Sequence, residues 1–215
     1  MKKFIVIILF TFFVSSVFAQ NGIIMELSGN VELKHSGSLE FVKAEEGENV
    51  ALNTIISTGF RSTAVISVGS SIITVRPLTR LSLAEIQSSE NAENVNVNLQ
   101  AGRVRVDVNP PAGTRANMTI KSPTATASVR GTSFEFDTVN LTVNKGSVLF
   151  NGNAGPAAMV NAGEQTFVGT DGTAVNPGEV ISAALAPPVP VGTPDNALQS
   201  SRINSGDFTI RIEYQ

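Results

Sequence analysis

The sequence has 215 residues, 42% hydrophobic and 15% charged, a balance that supports one packed domain, or one and a half, and excludes wholesale disorder. A formal net charge of −3 without basic clusters excludes nucleic acid as a natural partner. The complete lack of cysteine excludes disulfides and a Cys-linked lipid anchor, so the fold must stand on burial and hydrogen bonding alone.

Residues 1–19 read as a signal peptide rather than as structure. Lys2 and Lys3 give a positive start, Phe4 to Phe13 is an apolar run, and Val17-Phe18-Ala19 offers small residues at the positions a signal peptidase reads. An uncleaved anchor would need roughly 20 apolar residues, whereas Ser15 and Ser16 interrupt this run. Cleavage after Ala19 takes the 15 basic residues to 13 against 18 acidic ones and the net charge from −3 to −5. The expected location is the periplasm or the extracellular space, with no integral membrane segment left after cleavage.

From Gly22 to Val175 the pattern has period two almost throughout, which predicts short strands with one side in a core. Ile23, Met25 and Leu27 alternate with other residues, Gly29-Asn30 turns the chain, and Val31, Leu33 and Phe41 continue. Glu45, Glu46 and Glu48 lie on a loop without the ligand spacing of a calcium site. Ala64, Ile66 and Val68 form one apolar face, Gly69-Ser70 turns, and Ile73 and Val75 run back until Pro77, which lacks an amide donor, ends the pairing. Leu81 and Leu83 suggest a further short strand, and Ser88 to Asn94 reads as a polar loop.

Val95, Val97 and Leu99 alternate with Asn94, Asn96 and Asn98; after Gly102, Val104 and Val106 alternate with Arg103 and Arg105. The polar members of both runs, Asn94, Asn96, Asn98, Arg103 and Arg105, are expected on one exposed face that meets a partner. Asn109 to Arg115, with Pro110, Pro111 and Gly113, is a loop.

Ser122 to Phe150 is the most informative stretch. Phe134 and Phe136 point to one side of a strand and Glu135 and Asp137 to the other; Leu141 with Val143 and Val148 with Phe150 repeat the alternation around the Asn144-Lys145-Gly146 turn. In Arg130-Gly131-Thr132, Gly131 supplies special backbone angles or a close approach at a bulge or strand crossing. Arg130 is expected to donate its fork to a carboxylate such as Glu135 or Asp137, or to loop carbonyls, and Thr132 to hydrogen-bond locally. These roles are structural rather than ligand-binding.

No helix of ordinary length is expected after residue 19, Val180 to Leu185 being too short. From Asn176 the prolines 177, 187, 188, 190 and 194 describe an extended, partly rigid linker over 176–206. Phe208, Ile210, Ile212 and Tyr214 alternate again, predicting a C-terminal strand over 207–215.

Together these landmarks resemble the FecR domain of bacterial extracytoplasmic signalling proteins. The specific part is Val129-Arg130-Gly131-Thr132 with Phe134, followed by Lys145-Gly146-Ser147-Val148; Gly69-Ser70, Leu99 to Gly102, Ser122-Pro123-Thr124-Ala125 and Ala162-Gly163-Glu164 accompany it. Val68 departs from the resemblance, since the family commonly has a polar residue, often Asp, before the Gly-Ser turn. The resemblance implies a periplasmic sensor with an envelope protein as partner. In the family a cytoplasmic segment that controls a sigma factor comes first; the nineteen residues here leave no room for it, so the expectation is an exported module without that segment.

The fold class expected is all-β, a single antiparallel β-sandwich or a rolled, solenoid-like domain of a dozen or more short strands over residues 22–175. No cofactor, metal or catalytic residue is expected. His35 is the only histidine, beside Ser36-Gly37 near a turn, and no nucleophile elbow or metal-binding helix motif occurs. A cell-envelope glycan-binding or structural role is the alternative, disfavoured by a near absence of exposed aromatics, with one Tyr and no Trp. A hydrolase that uses Glu135 and Asp137 is the remaining alternative.

Overall fold

The computed structural model describes residues 21–89 and 92–185, with side chains through residue 181. The chain divides into two compact units, Met1–Val180 and Ile181–Gln215, and every described strand belongs to the first. The expectations for the signal at 1–19, for residues 186–206 and for a strand at 207–215 fall outside the described residues.

Among the described residues the two-residue alternation becomes seventeen strands. The N-terminal five are β1 (Gly22–Ser28), β2 (Val31–Lys34), β3 (Val42–Lys43), β4 (Asn49–Val50) and β5 (Ile55–Thr58). The middle of the chain forms β6 (Thr63–Val68), β7 (Ser71–Val75), β8 (Arg80–Ser89), β9 (Ala92–Ala101), β10 (Val104–Val108) and β11 (Arg115–Lys121). The remainder are β12 (Ala125–Arg130), β13 (Ser133–Asp137), β14 (Asn140–Lys145), β15 (Ser147–Gly152), β16 (Ala158–Asn161) and β17 (Gln165–Phe167).

Successive single strands and hairpins go to alternate layers, because each strand buries only one side and needs another sheet against it. The eight-stranded sheet has the order β17-β14-β13-β10-β7-β6-β1-β4, and the nine-stranded sheet β16-β15-β12-β11-β9-β8-β5-β2-β3. Between them lies one apolar core drawn from both sheets, in which Phe134, Phe136 and Phe150 are the largest fully buried side chains. Phe136 of one sheet meets Phe150 of the other edge to face, with ring centres 5.8 Å apart. The fold is therefore an all-β sandwich that does not close into a barrel.

Among the described residues all strand pairs are antiparallel but one: β9 and β11 run parallel, with Val95 beside Met118 and Val97 beside Ile120. The reason is the excursion between them, since β10 crosses to the other sheet, runs back there, and the loop after Val108 returns the chain in its original direction.

Two expectations need correction. Ser88 to Asn94 is not a loop, since β8 extends to Ser89 and β9 begins at Ala92. A register shift between Leu83 and Glu85 breaks the alternation there, and Ser82 is buried between Leu81 and Leu83, so a period-two reading stops too early. The linker is also not extended from its start, because Pro177–Leu185 is a helix, α1. Asn176 caps it, its Oδ1 accepting from the Gly178 N–H at 2.9 Å and its carbonyl from the Glu179 N–H at 2.9 Å, while Pro177 occupies the first helical position, where no amide is needed.

Candidate functional site

Arg130, Gly131 and Thr132 sit where the chain passes from β12 in the nine-stranded sheet to β13 in the eight-stranded one. Gly131 has φ +67°, and a methyl group on it would meet nothing nearer than Pro110 at 3.9 Å, so it is needed for its backbone angle and not for space. Thr132 is buried; its carbonyl accepts from the Val108 N–H at 2.9 Å, which ties the crossing to the end of β10. Its side chain makes no local hydrogen bond, contrary to expectation, because Oγ1 faces the interior without a partner. The methyl of Thr132 instead packs on Gly146, where a Cβ would lie 2.7 Å from Thr132 Cγ2. Phe134 fills the core beneath. Arg130 does not reach Glu135 or Asp137, since it ends on the outer side of the other sheet and takes part in no ion pair among the described residues.

The predicted polar face is divided between the two sheets. Asn94, Asn96 and Asn98 project from β9 on the outside of the nine-stranded sheet, whereas Arg103, just before β10, and Arg105, on it, lie on the outside of the eight-stranded sheet. The Gly102 turn carries the chain across the sandwich, so matching alternation on its two sides places the polar residues on opposite surfaces. The first group forms polar rows with both flanking strands: the Asn117 side chain on β11 donates to Asn94 Oδ1 at 2.9 Å, and the Asn96 side chain donates to Glu85 on β8.

Arg103 and Arg105 sit in a set of paired charges across β7, β10 and β13. Arg103 Nη2 is 2.9 Å from Asp137 Oδ2, and Arg105 Nε is 3.3 Å from Asp107 Oδ2. Arg76, just beyond β7, reaches over β10 to Glu135 Oε1 at 2.9 Å. Each pair is partly exposed and worth about 0–1 kcal/mol in stability. Their chief effect is to hold long side chains in fixed positions.

Beside these pairs is an open depression of about 630 Å³ whose lining includes Arg76, Leu78, Arg103, Asp137, Thr138 and Asn140. Leu78 and Thr138, two of the four non-glycine residues with positive φ among the described residues, both line it, at φ +57° and +47°. For a branched side chain such as Thr138 this conformation is a true outlier, which persists only where neighbours enforce it. Here the Thr138 carbonyl accepts from Ser122 Oγ at 2.7 Å and also from Thr124 Oγ1. Ser122-Pro123-Thr124 thus acts as a clamp on the rim.

Asp137 secures the same loop from the other side. Its Oδ1 accepts from the Asn140 N–H at 2.8 Å and from the Asn140 side chain at 2.9 Å. Partial burial pushes its pKa up, but the hydrogen bonds from Asn140, Arg103 and Val139 outweigh burial and hold the carboxyl below its ordinary value.

No nucleophile and base come together here, and Glu135 and Asp137 are each engaged by an arginine. His35 is exposed, with Nε2 3.7 Å from Glu48 Oε1. The acidic cluster is occupied by its own loop, as Glu46 Oε1 accepts from the Leu27 N–H and Glu48 Oε2 from the Glu45 N–H, each at 3.1 Å. Among the described residues no group of three or more His, Cys, Asp or Glu side chains is placed to hold a metal ion, and no helix is long and apolar enough to cross a membrane. The expected scarcity of exposed aromatics is corrected: Phe41, Phe60 and Phe167 are exposed, because they lie in loops or on an edge strand outside the alternating core positions.

Sequence reasoning missed Arg76, Leu78 and the buried Glu93, and singled out Ser122 and Thr124 only as landmarks of the resemblance, not as a clamp. Glu93 alone carried a usable signal, since it is in phase with Val95, Val97 and Leu99 and must therefore point inward.

The site is thus the outer surface of a two-sheet, all-β domain, with outward charge pairs and a clamped, strained rim. The family model described as FecR protein matches residues 54–149, and the chain accordingly carries a FecR domain. Two crystal structures of a protein from Parabacteroides distasonis ATCC 8503, proposed to be an anti-sigma factor, are similar in fold. Both are 15% identical to this chain over 60% of it, with TM-scores of 0.47 and 0.46. The chain spans 63% and 64% of their lengths, short of two thirds. No curated protein matches.

Proposed function

We propose that this protein is an exported, non-enzymatic binding or signalling module whose working domain spans residues 22–175 and whose partner is another envelope protein. The FecR match over 54–149 supports the signalling class, and the basic-then-apolar start of the sequence supports export. The docking surface is the outer side of the eight-stranded sheet around the depression beside Arg103. The observation that carries this assignment is the pair of strained residues, Leu78 and Thr138, held on one rim by neighbours that leave Leu78 63% exposed. An exposed leucine in a fixed, unfavourable backbone conformation, framed by positioned arginines, suits an anchor for a protein partner.

The test is capture from an envelope fraction by crosslinking, with the wild type compared with Leu78→Gly and with Arg103→Glu/Arg105→Glu. Loss of one captured membrane protein in both variants is expected. Capture at unchanged affinity by both would remove this face from consideration, and the same experiment with Asn94, Asn96 and Asn98 changed to Asp would then examine the opposite sheet.

A further inference from the structure

The outer side of the nine-stranded sheet gathers two cations around one aromatic ring. Lys34 Nζ lies 5.8 Å and Arg80 Cζ 5.5 Å from the centre of the Phe41 ring. Lys34 ends β2 and Arg80 begins β8, the two strands that flank β5, so the ring lies across the outer side of β5. Neither cation takes part in any of the four ion pairs among the described residues, and Glu32, a neighbour on β2, pairs with neither. Attraction to the ring face orients both groups but leaves their charge uncompensated. In a chain with an acidic balance, two cations gathered on one ring outnumber Glu32, the one acidic residue of β2, which shares their side of the sheet, and form a local site for an anion.

Next to Arg80 is a second depression, of about 410 Å³, lined by Ser57, Leu78, Thr79 and Gln100 among others. It presents hydroxyl and amide groups and an exposed aliphatic side chain around one guanidinium. Its floor is formed by β5, β8 and β9, interior strands paired on both sides, so their backbone groups are already used in the sheet. A peptide that binds by adding a strand finds no free edge on this floor, so a ligand here must be held by side chains alone.

We propose that Lys34, Phe41, Arg80 and the adjoining depression form a binding site for an acidic glycan, a chain of sugar rings bearing carboxylates. A carboxylate sits between Arg80 and Lys34, which the Phe41 ring holds in place, the C–H side of a sugar ring rests on Leu78, and ring hydroxyls meet Ser57 and Gln100. The cations and the ring lie on the nine-stranded sheet; the site shares only Leu78 with the protein-docking surface and does not depend on that assignment.

The experiment is titration of the whole protein with polygalacturonate oligomers, with neutral dextran and polyglutamate of matched charge as comparisons. Saturable binding to polygalacturonate alone is expected, weakened roughly tenfold or more by Lys34→Gln/Arg80→Gln, since each change removes a charge-assisted contact. Phe41→Leu, which keeps both charges, should weaken it as well, while Arg103→Gln should leave it unchanged. Thermal melting verifies that each variant is folded, and the single Lys34→Gln change serves if the double variant melts early. The proposal is overturned by absence of polygalacturonate binding, by binding that folded Lys34 and Arg80 variants retain in full, or by equal binding of polyglutamate, which would mark an acidic-peptide or general polyanion surface.

Discussion

The carboxylate of Glu93 occupies the space that a side chain at Gly69 would need. Gly69 has φ +56°, and a methyl group there would overlap Glu93 Oε1 and Cδ. Glu93 is buried on β9 of one sheet, yet both of its oxygens serve the β6–β7 turn of the other: Oε2 accepts from Ser70 Oγ at 2.7 Å and from the Ser70 N–H at 3.0 Å, and Oε1 from the same N–H at 3.2 Å. Val68, where the family commonly has a polar residue, is fully buried, and the turn receives its acceptor from the facing sheet.

Replacing either partner should therefore loosen the junction between the layers. Glu93→Ala leaves the Ser70 donors without their acceptor and should lower stability by about 1–3 kcal/mol in urea unfolding, with Glu93→Gln costing less because it keeps an acceptor. Gly69→Ala combines the left-handed strain of about 1–2 kcal/mol with overlap, so it should be at least as damaging. Equal stability of wild type and Glu93→Ala would mean that the contact contributes nothing.

Acid should act through Asp137. A carboxyl held below its ordinary value of 3.8 binds fewer protons when folded than when unfolded. It therefore adds stability above that ordinary value and loses it as pH falls through the lowered folded pKa. The stability gap between wild type and Asp137→Asn, measured by denaturant titration, should be full at pH 7 and shrink progressively below pH about 4. A gap independent of pH would show that the charge is not the source.

The strained rim predicts stabilising substitutions with a functional cost. Leu78→Gly and Thr138→Asn relieve unfavourable backbone angles, and each should raise stability by about 0.5–1 kcal/mol, read as a higher melting temperature. Leu78→Gly should at the same time weaken partner capture, because the exposed anchor is gone. A variant both less stable and fully competent for capture would contradict both roles.

Contact between the layers should depend most on their large aromatic pair. Phe136→Ala opens a cavity against Phe150 and should cost about 3–5 kcal/mol, as expected for a buried phenylalanine. Phe41→Ala, on the exposed side of the sheet, should cost much less. Comparable losses for the two in thermal or urea unfolding would refute the assignment of the core.

How far the sequence reached depends on the range of the interaction involved. Alternation at Phe134 and Phe136, at Val104 and Val106 and at Val95 and Val97 assigned strands and buried faces correctly, because which side of a strand is wet is decided within a few residues of chain. The reading failed at Ser82, where a bulge buries a serine out of phase, and at Pro177, where a capping Asn176 starts a helix instead of a linker. It could not tell that Arg103 and Asn98 leave the molecule on opposite sides, nor that Arg76 reaches Glu135 or that Ser122 holds Thr138. Local periodicity determined an all-β, two-faced chain, and the Arg130-Gly131-Thr132 and Gly146-Ser147-Val148 motifs carried the resemblance to the FecR domain. Which strands became neighbours was decided only when hairpins were distributed between two sheets, since pairing and stacking bring together residues that are distant along the chain, and the clamped rim and the Lys34–Phe41–Arg80 cluster exist only after that has happened.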